Sequence, residues 1–129
     1  AWQDICNIFP GTYSQESRAR DDFEEIITCQ AHQIYINHGS RIVGGIVHYL
    51  KERVEDFNRW SRTFFEFKKA PMTLIWGEQD PIAVVAMADR VKKNRPVTDL
   101  YKYPDCGHWP SVEYPDRIAD AIIARLGSV

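Results

Sequence analysis

The spacing of hydrophobic residues changes character near residue 70 of this 129-residue chain. Before that point apolar side chains recur at helical intervals, most regularly in the run that begins at Ile42, and no segment shows the alternation of a strand. The pattern predicts helices over residues 18–36, 42–50 and 52–65. Residues 1–17 mix apolar, polar, proline and glycine positions, and they are predicted to form an irregular lead-in.

A strand, a helix, a second strand and a last helix are predicted after residue 70. Residues 72–76 form an apolar run that is typical of a buried strand, and residues 84–94 have helical spacing. Residues 97–103 are predicted to be the second strand, and the last helix begins at Pro115. The positions predicted to face inward on this helix are Ile118, Ala119, Ile122, Ile123 and Leu126. The order predicts a parallel βαβα unit of an α/β fold, which needs further strands because parallel sheets are covered on both faces.

Composition and charge narrow the class of protein. The net charge is −2 and 44% of the residues are hydrophobic, which favours one domain with an ordinary core and no basic surface for nucleic acid. No apolar run is long enough for a membrane span. Cys6, Cys29 and Cys106 are too far apart for metal-ligand pairs or a disulfide framework. We therefore expect buried free thiols, a reducing compartment such as the cytoplasm, and neither a metal nor a cofactor.

Two side chains that can share a proton follow the two predicted strands. Asp80 comes just after the first strand, and His108 lies in the loop after the second. Because the carboxyl ends of parallel strands meet at one edge of a sheet, we expect these residues within hydrogen-bond reach. The carboxylate would then fix the imidazole tautomer and leave Nε2 free as a base. The simpler alternative is that Asp80 caps the following helix and His108 is an ordinary loop histidine. Asp105 is a rival carboxylate, but a turn-forming role is more natural for it.

Two sequence blocks resemble the C-terminal part of the α/β-hydrolase fold. Residues 74–82, LIWGEQDPI, resemble its late strand and acid turn. Residues 105–109, DCGHW, with the following EYP at 113–115 and an amphipathic helix, resemble its histidine loop and final helix. The resemblance implies that Asp80 is the acid of a catalytic triad and that His108 is its base.

The helical half resembles the cap that many α/β hydrolases insert before the acid strand. The resemblance divides the chain into a cap (lid) region, residues 1–69, and the C-terminal part of the core, residues 70–129. Residues 48–60 are similar to the last cap helices of the mesoderm-specific transcript protein and its relatives, which stand close to epoxide hydrolases and haloalkane dehalogenases. This resemblance implies a lid over the carboxyl edge of the sheet, with Tyr49 facing the cavity.

Three aromatic residues are candidate substrate contacts. By the same resemblance Tyr49 matches a cap tyrosine that polarises the substrate oxygen in epoxide hydrolases; the alternative is a cap tyrosine packed between helices. Trp76 and Trp109 flank the acid and the histidine in sequence, and they either wall the pocket or fill the core.

The nucleophile of the family has no counterpart in this chain. Neither Gly-x-Ser-x-Gly nor its aspartate equivalent occurs in the sequence. We therefore expect a portion of a hydrolase that acts on an ester, an epoxide or a carbon–halogen bond of a small molecule, with the nucleophile in an N-terminal half of the same fold. Alone, the chain is expected to be inactive, and a homo-oligomer is one way to cover its exposed strand. The alternative is a non-catalytic binding or interaction module, or an inactive hydrolase homologue.

Overall fold

A computed structural model describes residues 7–66 and 69–127, apart from the side chains of Asn37, Ser40 and Val43. The α-helices, numbered in chain order, are α1 (Gln15–Arg18), α2 (Phe23–Tyr35), α3 (Val43–Ile46), α4 (Tyr49–Glu55), α5 (Phe57–Glu66), α6 (Val85–Asn94), α7 (Pro110–Glu113) and α8 (Pro115–Leu126). Two 3-10 helices cover Phe9–Thr12 and Ile36–Arg41, and the strands are β1 (Thr73–Gly77) and β2 (Asp99–Tyr103). The change from helical to mixed structure near residue 70 is therefore as the sequence predicts.

The sheet consists of two parallel strands in the described part of the chain. Thr73 of β1 lies opposite Asp99 of β2, and Gly77 lies opposite Tyr103. Helix α6 connects the strands and contacts both of them, which confirms the predicted βαβ order. The first four residues of β1 are half-buried, whereas the apolar run predicts burial on both faces. Two strands with one connecting helix leave this exposure, because a parallel sheet needs cover on both sides.

The prediction of one regular helix over residues 42–50 is wrong. The structure has a 3-10 helix up to Arg41, a short α3 and a new start at Tyr49. Gly44 and Gly45 fall inside α3, and each glycine costs a helix about 1 kcal/mol relative to alanine. The two glycines therefore do not favour a continuous helix, although the apolar residues around them have helical spacing.

The apolar side chains of α4 and α5 are largely exposed. Val54 is 81% exposed, Phe57 46% and Trp60 40%, and no residue of α4 is buried. Helix α5 borders a cavity of about 440 Å³ with Met72 and Arg95, which lie just before the two strands begin. This helix therefore lies near the amino end of the sheet, on the side away from the edge that the lid prediction assigns to it.

Helix α8 buries less of its apolar face than the sequence predicts. Ile118 is 8% exposed and Ala121 is 9% exposed, so one side of the helix does pack inward. Four of the predicted inward positions are exposed: Ala119, Ile122, Ile123 and Leu126. The prediction fails at these positions because a two-stranded sheet offers too little surface to cover a helix of 12 residues.

Part of the segment predicted to be an irregular lead-in, residues 12–14, is buried in the fold, whereas residues 1–6 lie outside the described part of the chain. Thr12, Tyr13 and Ser14 are 6%, 3% and 0% exposed. The ring of Tyr13 packs edge-on against Phe23, with centroids 5.1 Å apart, and stacks near Trp109 at 6.4 Å. The remaining buried apolar residues are Ile27, Ala31, Ala88, Cys106, Ile118 and Ala121. The amino-terminal segment thus packs against the loop that carries the predicted histidine.

Gly107 permits this close packing. A Cβ atom at Gly107 would lie 2.6 Å from the carbonyl oxygen of Thr12 and 2.7 Å from the backbone nitrogen of Ser14. Both obstacles are backbone atoms that cannot rotate away, so only glycine lets the two segments meet.

We predict that Gly107→Ala destabilises the chain by about 1–3 kcal/mol, the usual cost of an overpacked contact. Gly44→Ala is the matched control, because nothing lies within 4 Å of a Cβ at Gly44. In a helix that change should be neutral or stabilise by up to about 1 kcal/mol. Urea unfolding of the two variants measures both effects, and equal midpoints would contradict the packing described for Gly107.

Candidate functional site

Asp80 is held by the backbone just beyond the carboxyl end of β1. It is 8% exposed. Its Oδ1 atom accepts hydrogen bonds from the backbone N–H groups of Ile82, at 2.8 Å, and Ala83, at 2.9 Å. These two bonds fix the orientation of the carboxylate and leave Oδ2 available for another partner.

His108 is that partner. Its Nδ1 atom lies 2.8 Å from Asp80 Oδ2, so the predicted proximity of the two residues is confirmed. Because an ionised carboxylate can only accept, we expect the imidazole proton on Nδ1 and Nε2 as the basic nitrogen of the ring. The side chain of His108 is 26% exposed, whereas that of Asp80 is 7% exposed. The arrangement can therefore orient a base toward solvent while its acid stays protected.

The pair borders a small cavity at the carboxyl edge of the sheet. The cavity measures about 190 Å³ and is lined by Ile75, Trp76, Gly77, Asp80, Ala83, His108 and Pro110. The indole Nε1–H of Trp76 donates to the carbonyl oxygen of Ala83 at 2.6 Å, which holds the ring in the cavity wall. The sequence leaves open whether Trp76 lines a pocket or fills the core, and in the structure it lines this cavity.

Trp109 supports His108 from the side. The two rings meet edge to face, with centroids 4.9 Å apart and planes at 84°. The indole Nε1–H of Trp109 donates to Thr12 Oγ1 at 2.6 Å. Trp109 does not line the 190 Å³ cavity; it borders a second cavity, of about 610 Å³, beside Ile26 and Cys29 of α2.

The structure does not bring Tyr49 to the pair. Tyr49 is the first residue of α4, it is 48% exposed, and it does not line the cavity at Asp80 and His108. The expectation that Tyr49 faces this cavity is thus not met in the described arrangement of the chain. Its contact with a substrate stays a prediction.

Asp105, the rival carboxylate, has a different partner. Its Oδ2 atom accepts a hydrogen bond from Arg117 Nη1 at 2.7 Å, and the guanidinium of Arg117 packs over the rings of Tyr103 and Tyr114. The hydrogen bond from Arg117 lowers the pKa of the Asp105 carboxyl. Asp105 therefore stabilises the turn before the histidine, as the sequence favours.

Glu113 organises the histidine loop, and sequence reasoning gave it no role. It is 2% exposed, and its carboxylate accepts hydrogen bonds from the N–H groups of Ser14, Gly107 and Trp109 at 3.0–3.1 Å and from Ser17 Oγ at 2.8 Å. Burial by itself raises the pKa of Glu113, but these hydrogen bonds outweigh it and hold the pKa below its ordinary value of 4.5. The only sequence signal was the block at 113–115, which carries no sign of burial.

The cysteines differ in environment. Cys106 is buried, and burial raises the pKa of its thiol to about 12, so the thiol is unreactive at neutral pH. Cys29 is exposed, which corrects the expectation of a buried thiol, and Cys6 lies outside the described residues.

Within residues 7–66 and 69–127 no three His, Cys, Asp or Glu side chains are grouped so that they could hold a metal ion. No helix in these ranges is long and apolar enough to cross a membrane.

The lowered pKa of Glu113 makes the free energy of unfolding depend on pH in the acid range. Because this pKa is lower in the folded chain than in the unfolded one, the carboxylate stabilises the fold fully above about pH 4.5, and the contribution is lost as pH falls through the folded value. We predict that Glu113→Gln lowers the free energy of unfolding at pH 7 by about 1–3 kcal/mol, since the buried donors at one of the two oxygens then meet an NH₂ group in place of an acceptor.

Urea unfolding at a series of pH values measures both effects. The wild-type midpoint should fall more steeply with acid below about pH 4.5 than the midpoint of Glu113→Gln. Parallel curves for the two proteins would contradict the assignment of a depressed pKa to this carboxyl.

The chain is similar to three curated proteins that are named as hydrolases, and no family model matches it. It is 32% identical over 90 residues to LipZ of Mycobacterium tuberculosis, a match that covers 70% of this chain and 31% of LipZ. It is 37% identical over 58 residues to the 2-hydroxy-6-oxononadienedioate/2-hydroxy-6-oxononatrienedioate hydrolase of Burkholderia vietnamiensis, which covers 45% of the chain and 20% of that protein. It is 36% identical over 61 residues to the monoacylglycerol lipase ABHD6 of Homo sapiens, which covers 47% and 18%.

These matches span less than a third of the length of each relative. At modest identity over part of each protein, they point to the α/β-hydrolase superfamily without reaching a finer family. The parallel sheet and its connecting helix agree with an α/β fold.

Proposed function

We propose that this chain supplies the acid and the histidine base of a nucleophile–His–acid triad in an α/β-fold hydrolase. The observation that supports this most strongly is the contact of 2.8 Å between His108 Nδ1 and Asp80 Oδ2. The other oxygen of Asp80 is already bound by the N–H groups of Ile82 and Ala83, so the carboxylate has one orientation toward the ring. If Asp80 served only as a helix cap, its two bonds to the N–H groups of Ile82 and Ala83 would be sufficient, and the contact with His108 would have no purpose.

Each member of the pair has a defined task in this proposal. His108 Nε2 takes a proton from a nucleophile, or from the water that releases a covalent intermediate, and returns it to the leaving group. Asp80 keeps the second ring proton on Nδ1 and stabilises the imidazolium that forms. The mostly buried position of Asp80 strengthens this electrostatic effect, because less solvent screens it.

The nucleophile comes from an N-terminal part of the same fold in this proposal. The sequence has no nucleophile elbow, and the relatives named as hydrolases extend well beyond the matched region. The cavity of about 190 Å³ beside the pair is also smaller than the roughly 300–1,000 Å³ of a ligand pocket. Further walls from the rest of the fold would complete it, with residues 1–69 as the cap and Tyr49, Trp76 and Trp109 as substrate contacts. In the whole protein α4 and α5 would then lie over this edge, and not near the amino end of the sheet, where α5 lies in this chain.

The substrate is a small molecule with an ester, epoxide or carbon–halogen bond. We favour an ester as the first class to test, because one relative is named as a monoacylglycerol lipase. The chemistry proposed for Asp80 and His108 is common to all three bonds, and the nucleophile decides among them.

We predict that the 129-residue chain alone does not hydrolyse an activated ester faster than its buffer. Asp80 and His108 can orient and move a proton, but the sequence has no nucleophile elbow to form a covalent intermediate. The assay uses p-nitrophenyl acetate with the purified chain and its His108→Ala variant. Turnover that disappears in the variant would mean that the nucleophile lies within these 129 residues, contrary to the proposal.

The proposed activity itself is tested in the longest natural product that contains this chain. Hydrolysis of short-chain esters, an aryl epoxide and a haloalkane is measured for the wild type, Asp80→Asn and His108→Ala. On the substrate that the wild type cleaves, Asp80→Asn should lose about 10⁴-fold in kcat and His108→Ala about 10⁶-fold, as in other triads.

The matched control in that experiment is Glu78→Gln. Glu78 lies near the same strand end, but its side chain is 37% exposed and pairs only at 3.9 Å with Lys102. Its kcat should stay within about twofold of wild type, since exposed pairs contribute little. Hydrolysis that survives both triad substitutions would refute the proposed roles, and a product without any hydrolysis would favour the non-catalytic module.

A further inference from the structure

The carboxylate of Glu113 holds the backbone on both sides of His108. It accepts from the N–H of Gly107 through both oxygens, at 3.0 Å each, and from the N–H of Trp109 through Oε1, at 3.1 Å. The N–H of His108 donates to the carbonyl oxygen of Thr12 at 2.8 Å. Three consecutive backbone N–H groups are thus fixed, with the histidine in the middle.

The other side of the same carboxylate is bound to the amino-terminal segment. Oε2 accepts from the N–H of Ser14 at 3.0 Å and from Ser17 Oγ at 2.8 Å. The hydroxyl of Ser14 donates to Ser17 Oγ at 2.9 Å and caps the start of α1. Glu113 therefore joins the histidine loop to residues 12–17, which sit on the opposite side of Gly107.

The two halves of the Asp80–His108 pair are anchored differently, although one backbone hydrogen bond, from the N–H of Gln79 to the carbonyl oxygen of Cys106 at 2.9 Å, joins the acid turn to the start of the histidine loop. Asp80 is fixed by the turn that follows β1, through Ile82 and Ala83. His108 belongs to the loop after β2, and no bond of Glu113 reaches Asp80 or its turn. The Gln79–Cys106 bond ends one residue before Gly107, so the position of the imidazole relative to its acid also depends on what holds Gly107 and Trp109, because the backbone sets the direction of the side chain.

We propose that Glu113 is a positioning residue for His108, and that Ser17 assists it by fixing the carboxylate. Glu113 acts through the backbone N–H groups of Gly107 and Trp109 and touches neither the reacting atoms nor the imidazole. The importance of this for catalysis rests on the proposed function, whereas the effect on the geometry of the pair can be measured without any substrate.

A purely structural role predicts a different result. In that case the loss of Glu113 would lower the global stability but would leave the Asp80–His108 hydrogen bond intact in molecules that remain folded. A positioning role predicts that this hydrogen bond opens more often even in the folded state. The exchange rate of the His108 Nδ1 proton with solvent separates the two, because it reports local opening.

The experiment uses the full chain with ¹⁵N-labelled histidine, at low temperature and near neutral pH. The exchange rate of the Nδ1 proton is compared among wild type, Glu113→Gln, Ser17→Ala and the control Glu78→Gln, with near-UV circular dichroism as the check of folding. Glu113→Gln keeps the shape of the side chain but turns an NH₂ group toward N–H donors. The rate should rise by about tenfold or more in Glu113→Gln and by about twofold to fivefold in Ser17→Ala, and it should stay unchanged in Glu78→Gln.

The outcomes separate this inference from the proposed function. A folded Glu113→Gln whose exchange rate equals that of wild type overturns the positioning role and leaves the Asp80–His108 pair untouched. If Glu113→Gln does not fold, Ser17→Ala decides, and an unchanged rate in that folded variant overturns the role. The pair itself predicts an Nδ1 proton signal in the wild type that disappears in Asp80→Asn. If the wild type shows no such signal, or if the signal persists in Asp80→Asn, the pair and both proposals are contradicted.

Discussion

The arrangement of this chain depends on one buried carboxylate. Glu113 is 2% exposed, and burial of a charge is costly unless hydrogen bonds replace its water. Four groups do so: the N–H groups of Ser14, Gly107 and Trp109, and the hydroxyl of Ser17. These donors come from the two ends of the described sequence. The charge therefore forces the amino-terminal segment and the histidine loop to meet, and the meeting requires a glycine at 107.

The position of His108 in the acid–base pair depends on this contact between the amino-terminal segment and the histidine loop. Asp80 is oriented mainly by local structure, because the turn after β1 supplies its two N–H donors, and that turn is joined to the histidine loop through the N–H of Gln79 and the carbonyl oxygen of Cys106. His108 needs long-range structure, since its loop is bound to Thr12 and Glu113 and its ring rests against Trp109. The chain thus brings an acid and a base together without completing the pocket around them. The half-buried sheet and the exposed faces of α4, α5 and α8 fit a fold that further strands and helices would cover.

What the sequence predicts correctly here is local. The strand at 73–77, the helix that follows and the position of Asp80 beside His108 come from short-range patterns: an apolar run, helical spacing and the order of parallel strands. The role of Glu113 was not predictable in this way, because its burial is decided by Ser14 and Ser17, about a hundred residues earlier. The exposure of Ile123 was missed for a related reason: periodicity shows which side chains share a face, but not whether a neighbour exists to cover it.

The most direct test of this account is the tautomer of His108. The two ring ¹⁵N shifts of the neutral imidazole, measured in the full chain and in Asp80→Asn, show which nitrogen carries the proton. The account predicts a proton on Nδ1 and a bare Nε2 in the wild type, and a mixture or the reverse tautomer in Asp80→Asn, because the amide can donate as well as accept. A wild-type ring protonated on Nε2 would contradict the central claim, since the basic nitrogen would then be Nδ1, which faces Asp80.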